Sequence, residues 1–263
     1  MRRLVVKVGG HSLDNLESTS ATLMDLAFDV GQLRAGGTEV VIVHGGGPQI
    51  AELLARVGEK SDFVDGHRVT SAQTMELVVM ALSKVNVMVT AALNQAGLRA
   101  VGLCGVDDSL LSATAKGPVW DRAGTGPRVH ADIVTALWSL GVTAVISPIA
   151  VDDRGGLLNV NADTVAGSLA SALDADALVL LSDVDQLLAD PVDPSSGFAD
   201  VRADALRDVV ARGAVKDGML PKAQAALEAL EGGARRVVIA NGVRPHALRD
   251  SVSGAIPTTE VWP

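Results

Sequence analysis

The chain has 263 residues, 48% of them hydrophobic and 20% charged, with a formal net charge of −9. This suits one large α/β domain or two lobes sharing a sheet, with an aliphatic core, since there are three Phe, three Trp and no Tyr. The acidic balance argues against nucleic acid or an anionic membrane as partner, but leaves room for a small anionic substrate in a locally positive site. The single Cys104 cannot form an intramolecular disulfide and points to a reducing compartment. The N-terminal stretch carries two arginines but too short an apolar run for a signal peptide. No stretch reads as reaching the roughly 18–20 apolar residues that span a bilayer, so a cytoplasmic protein with no membrane partner is expected.

Residues 4–8 read as the first strand, closed by Gly9 and Gly10, with Lys7 its one charge. Lysine seldom sits in a central strand unless it reaches out of the end towards a partner. A helix follows, with Leu23, Leu26, Ala27, Val30 and Leu33 on one face and Gly36-Gly37 as its stop. The second strand centres on Val40, Val41, Ile42 and Val43 and breaks through Gly45, Gly46 and Gly47 into a helix that carries Pro48 in its first turn. Such a turn leaves several main-chain N–H groups unobstructed at a positive helix end, which makes an anion site. The rival reading is a tight strand-to-helix turn with no ligand.

Further along, 63–69 reads as a hairpin around Asp65-Gly66. Thr70 and Gln73 have capping-box spacing at the head of a helix running to about Gly97. A short strand at 100–103 precedes a Gly-, Asp- and Pro-punctuated segment, 105–130, read as small hairpins or loops. Residues 132–140 read as helix, 143–149 as strand, 152–156 as turn, and 157–163 as a strand entering a helix through Leu173. The apolar strand 177–181 leads into Ser182 and Asp183, and 191–200 reads as exposed loop. Helices at 203–212 and 220–231, a strand at 236–240, a last short helix and a strand at 258–262 complete the chain. Strands alternating with helices in this way predict a mainly parallel sheet covered on both faces.

Four constellations matter together: Lys7-Val-Gly-Gly10, His44-Gly-Gly-Gly47 and Asn159-Val-Asn-Ala-Asp163 at predicted strand ends, and Lys216-Asp-Gly-Met-Leu-Pro-Lys222, which puts two lysines around a Gly turn and helix start. Ligands of open parallel sheets bind beyond the carboxyl ends of the strands. Two backbone anion sites with two lysines suit phosphoryl transfer, where the protein gathers and aligns negative charge. His44 reads as a packing or hydrogen-bonding residue beside the glycine turn, and the histidines show no metal-like spacing. Asn159 and Asn161 read as sharing one strand face. Arg68 alone could be a solvated surface charge, and Asp183 and Asp185 could merely cap a turn.

With these motifs, joined by Asp65-Gly-His-Arg-Val-Thr70 and Leu181-Ser-Asp-Val-Asp185, the chain resembles the amino acid kinase family over nearly its whole length. It is most similar to the members that phosphorylate acetylglutamate. The resemblance implies a three-layer αβα sandwich, with an N-terminal lobe (1–175) for an acyl amino acid and dimerisation and a C-terminal lobe (176–263) for ATP. It implies phosphorylation of the side-chain carboxylate of N-acetyl-L-glutamate in arginine biosynthesis, with Lys7 and Lys222 on two sides of the phosphoryl group. Asp163 would tether both ammonium groups. Gly9, Gly10 and Gly46 would bind phosphoryl oxygens, and Gly46, Gly47, Arg68, Asn159 and Asn161 the acyl substrate. Ser182, Asp183, Val184, Asp217, Gly218 and Met219 would lie along the nucleotide, and Mg2+ would be held by the phosphates with no protein ligands. Relatives acting on glutamate or 2-aminoadipate attached to an acidic carrier protein give an alternative, and a non-catalytic binding domain gives a third. Residues 105–109 and 122–130 depart from the family pattern. The lack of an N-terminal helical extension implies an arginine-insensitive homodimer.

Overall fold

The computed structural model describes residues 2–9, 13, 17, 19–60, 62–64, 66–190, 193–213 and 219–263. The first half of the chain supplies β1 (Arg2–Val8), α1 (Ala21–Ala35), β2 (Thr38–His44), α2 (Gly47–Arg56), the two-residue strands β3 (Phe63–Val64) and β4 (His67–Arg68), α3 (Ala72–Gln95) and β5 (Ala100–Cys104). Next come β6 (Leu111–Ala115), β7 (Ala123–Val129), α4 (Asp132–Ser139), β8 (Thr143–Ser147), β9 (Ile149–Val151), β10 (Leu157–Val160) and α5 (Ala162–Ala172). The chain finishes with β11 (Ala177–Ser182), β12 (Asp200–Arg202), α6 (Ala203–Ala211), α7 (Leu220–Glu231), β13 (Val237–Asn241), α8 (Ala247–Ser253) and β14 (Thr259–Trp262).

Eight strands form one sheet in the order β12-β14-β13-β11-β1-β2-β8-β5. The run from β13 to β5 is parallel, and only the β13–β14 pairing is antiparallel. Strand periodicity explains the three layers. On one face Val5, Val41, Val43, Leu178, Leu180 and Ile239 pack with side chains of α4, α5, α6 and α7. On the other, Val6, Val8, Ile42, Val179, Leu181 and Val238 pack with α1, α3 and α8. The same alternation puts Lys7 on the face of Val5, towards α5. A small closed barrel of β10, β7, β6 and β9 stands beside the sheet, and β3 and β4 form a separate hairpin.

Three expectations are corrected. Segment 143–149 is two strands, because Pro148, which has no N–H to donate, separates β8 in the main sheet from β9 in the barrel. The cap of α3 is Ser71, whose Oγ accepts from Thr74 N at 3.0 Å. Thr70 is drawn instead into a bridge with Asp121, and its hydroxyl donates to the Arg68 carbonyl. The third concerns α3 itself, which by length and composition is apolar enough to cross a membrane, with a mean hydropathy of 1.6. Its inward face (Met75, Val78, Leu82, Val85, Val89) is buried in the protein core. The segment 105–130, read as hairpins or loops, is the antiparallel β6–β7 pair of the barrel.

Candidate active site

The site grows from the carboxyl ends of β1 and β2. Lys7, one residue from the end of β1, curls back over Gly9, where a Cβ would lie 2.5 Å from its Nζ. Any side chain there would displace the ammonium group. Gly45 N–H donates to the Val8 carbonyl at 2.7 Å, which locks the ends of β1 and β2 together. Gly46 then caps α2 with no side chain, and a Cβ on it would stand 2.5 Å from Leu82 Cδ2. Gly47 and Pro48 form the first turn of α2 as expected. The first N–H groups of a helix have no partner within it, so this turn offers main-chain donors and positive dipole potential. Gly10 lies outside the described residues.

Lys7 Nζ is 2.9 Å from Asp163 Oδ1, both side chains 17% exposed. Asp163 stands in the first turn of α5, where Asn161 caps the helix by accepting from Asp163 N at 2.9 Å. Asn161 is thus a helix cap just beyond the end of β10, and it lines the same cavity as Asn159. Asn159 remains on β10, and its Nδ2 donates to Thr70 Oγ1 at 3.2 Å.

Lys7, Gly9, Gly46, Gly47, Arg68, Asn159, Asn161 and Asp163 all line one cavity of about 290 Å³. Arg68 is buried rather than solvated. One guanidinium nitrogen donates to the Gly47 carbonyl at 3.1 Å, and the group lies 4.7 Å over the Phe63 ring. Its NH1 is buried with no partner among the described residues. An unsatisfied buried donor is costly, so it suits an incoming carboxylate oxygen. Burial pulls the Arg68 pKa below its usual value.

A second cavity of about 200 Å³ shares Lys7, Gly9 and Asp163 with the first and adds Ser182, Asp183 and Lys222. Lys222, in the first turn of α7, is 2.9 Å from Asp183 Oδ1, and Ser182 Oγ donates to the same carboxylate at 3.2 Å. Burial works to raise the Asp183 pKa, but the Lys222 hydrogen bond and charge outweigh it and hold the carboxyl below its usual range. The two lysines therefore share a cleft. The geometry departs from the expected double tether, because Asp163 is paired with Lys7 while Lys222 is paired with Asp183. Val184 and Met219 pack against the core beside this cleft, and Asp217 and Gly218 lie outside the described residues. Asp185 is engaged in a two-pronged pair with Arg244, at 2.6 and 2.8 Å. Among the described residues, no three His, Cys, Asp or Glu side chains come together as a group that could hold a metal ion.

Sequence reading missed Thr70, Asn86 and Ser147 as supports of the site. Asn86 carried a signal, being a lone amide on the apolar face of α3 between Val85 and Val89.

Comparison with known proteins places this fold in a family. The chain belongs to the amino acid kinase family, whose sequence profile matches residues 2–241. Acetylglutamate kinase of Moorella thermoacetica is 38% identical over 94% of this chain and 86% of its own length. That of Heliobacterium modesticaldum is 40% identical over 94% and 87%. Among solved structures, N-acetylglutamate synthase from Neisseria gonorrhoeae, in complex with coenzyme A and N-acetyl-glutamate, superposes with a TM-score of 0.81 at 23% identity. It covers all of this chain and 59% of that one. Carbamate kinase from Giardia superposes with a TM-score of 0.69 at 15% identity, covering 99% and 98%, a likeness of fold.

Proposed function

We propose that this chain is a carboxyl-group phosphotransferase that moves the γ-phosphoryl group of ATP onto the side-chain carboxylate of N-acetyl-L-glutamate. The products are ADP and N-acetylglutamyl 5-phosphate, in arginine biosynthesis. One observation carries the reading: Lys7 and Lys222 line a single cleft, which shares Lys7, Gly9 and Asp163 with the cavity that Arg68 lines. The names of relatives at 38% and 40% identity support the choice of acceptor.

A free carboxylate is already ionised near neutral pH, so the step needs no general base. A carboxylate oxygen bonds to the γ-phosphorus as the bond to the β–γ bridging oxygen breaks, and ADP leaves with that electron pair. Arg68 would take the α-carboxylate on its unpaired NH1, with Asn159 and Asn161 beside it and Gly46 and Gly47 beneath. Lys7 and Lys222, with the N–H groups of Gly9, Gly10 and Gly46, would neutralise charge on the phosphoryl oxygens. Asp163 would hold the Lys7 ammonium group in place. Ser182, Asp183, Val184, Asp217, Gly218 and Met219 would follow the nucleotide, with Lys222 exchanging Asp183 for a phosphate oxygen as ATP enters. Mg2+ would arrive on the phosphates and offset part of their charge. In this reading residues 1–175 form the acyl-substrate lobe and 176–263 the ATP lobe, in a cytoplasmic protein. A homodimer fits the outward apolar side chains Met80 and Val87 on α3, 59% and 62% exposed.

Hydroxylamine traps acyl phosphates as hydroxamates. Purified protein with Mg-ATP should give hydroxamate with N-acetyl-L-glutamate. Product only with glutamate or 2-aminoadipate on a carrier protein would move the acceptor assignment, and binding without product on any of them would remove the enzyme reading.

A further inference from the structure

His44, the last residue of β2, has a fully buried ring directly below the glycine turn. Its Nδ1 is 2.7 Å from the Gly45 carbonyl oxygen, and its Nε2 is 2.9 Å from Ser147 Oγ and 3.2 Å from Asn86 Nδ2. A carbonyl oxygen only accepts, so Nδ1 carries the hydrogen. The other end of the ring gives the same answer independently. Asn86 Nδ2 faces the carbonyls of Val145, at 2.9 Å, and Leu103, at 3.3 Å, which fixes the amide with its NH2 towards His44. A donor facing Nε2 requires a lone pair there, and the Ser147 hydroxyl can turn to donate as well. The neutral Nδ1–H tautomer therefore fits both ends of the ring, with the Nε2 lone pair shared between Asn86 and Ser147, whereas the opposite one would set lone pair against lone pair at Gly45 and turn an N–H towards the Asn86 NH2. Burial agrees, drawing the His44 pKa down to about 4.

The network joins α3, β5, β8 and β2 beneath one peptide. Gly45 is gripped on both sides, its N–H by the Val8 carbonyl at 2.7 Å and its C=O by His44. The next two residues, Gly46 and Gly47, line the cavity, and the Gly47 carbonyl seats Arg68. Rotation of the Gly45 peptide would carry both with it. We propose that His44, held in its Nδ1–H form by Asn86 and Ser147, is a positioning residue that sets the glycine turn for the acyl substrate and the transferred phosphoryl group. The kinetic part rests on the proposed phosphotransferase reading, and the tautomer does not.

Two measurements test it. A long-range proton–nitrogen-15 spectrum of the wild-type chain at neutral pH, with His44 assigned by its loss in His44→Asn, should show protonated Nδ1 and bare Nε2. The reverse tautomer, or a doubly protonated ring, would overturn the proposal whether or not the protein is a kinase. Once hydroxamate formation is established for the wild type, His44→Asn and His44→Gln divide the two ends of the ring. Asn keeps a donor near the place of Nδ1, and Gln reaches only the place of Nε2. His44→Gln should raise the KM for N-acetyl-L-glutamate about tenfold with little change in that for ATP, the loss expected of one buried hydrogen bond, and His44→Asn should recover most of it. Equal impairment of the two, or losses that simply track their melting temperatures, would reduce His44 to a core residue. Should both fail to fold, Ser147→Ala removes one contact to Nε2 without touching the ring. It should then shift the same KM in the same direction, and an unchanged KM would count against the proposal.

Discussion

Lys222 is ion-paired with Asp183 at 2.9 Å, in the cleft that Lys7 enters from the neighbouring strand of the sheet. The two lysines thus have different carboxylate partners, Asp163 for Lys7 and Asp183 for Lys222. Entry of a nucleotide phosphate would compete with Asp183 for Lys222 and leave the Lys7–Asp163 pair standing.

Lys222→Ala should lower kcat by about a hundredfold or more, the scale of losing one preorganised charge at a transition state. The fold should survive, since a partly exposed ion pair contributes about 1 kcal/mol or less to stability. Steady-state hydroxamate formation and circular dichroism on the same sample check both halves. Unchanged turnover would remove Lys222 from the site.

Arg68→Ala should act on the acyl substrate. Its buried NH1 has no partner among the described residues, and a charge-assisted hydrogen bond there is worth roughly 1.5–3 kcal/mol. The KM for N-acetyl-L-glutamate should rise by about ten- to a hundredfold, with that for ATP nearly constant. A rise confined to the ATP KM would contradict the placement.

Gly9→Ala and Gly46→Ala should separate function from stability. The atoms nearest the new methyl at Gly9 belong to the flexible end of Lys7, whereas at Gly46 it meets Leu82 in the core. Gly9→Ala should therefore keep its melting temperature and lose kcat. Gly46→Ala should lose about 1–3 kcal/mol of stability as an overpacked site, and Leu82→Ala in the same chain should return part of it. Thermal melts and turnover for the three variants decide.

Stability should rise between about pH 4 and 6.5. His44 has its folded pKa lowered from the model-compound value of 6.5 to about 4, so in that window the unfolded chain binds the extra proton and the folded chain does not. The stabilisation is complete above the unfolded pKa and is lost as pH falls towards the folded one. A shift of this size corresponds to about 3 kcal/mol. Asn86 and Ser147, which face the ring, do not titrate, so urea unfolding of His44→Asn should be flatter across the same range. An equal slope in wild type and variant would refute the assignment.

Much of this site was legible in the chain because it depends on local chemistry. Alternation along β1 turns Lys7 towards α5, and three glycines between a strand and a helix leave main chain uncovered. What local pattern could not supply was partner choice across the fold. Asp163 and Asp183 both follow apolar strands, and only the packing of α5 and α7 assigns one lysine to each. Arg68 taken alone could equally be a solvated hairpin charge, because the contacts that bury it, with Gly47 and Phe63, lie outside its own motif or across the hairpin. The split of 143–149 is written in Pro148, whose missing N–H ends β8, although the apolar run continues on both sides of it. Asn86 takes its role from partners on β2, β5 and β8, which no local pattern in α3 specifies.

The central claim is that one phosphoryl group travels between Lys7 and Lys222. A crystal structure with Mg-ADP, aluminium fluoride and N-acetyl-L-glutamate tests it most directly. The planar fluoride should sit in the shared cleft with both ammonium nitrogens within hydrogen-bonding distance, Lys222 released from Asp183, and Arg68 on the α-carboxylate. Fluoride bound away from either lysine, with Lys222 still on Asp183, would contradict it.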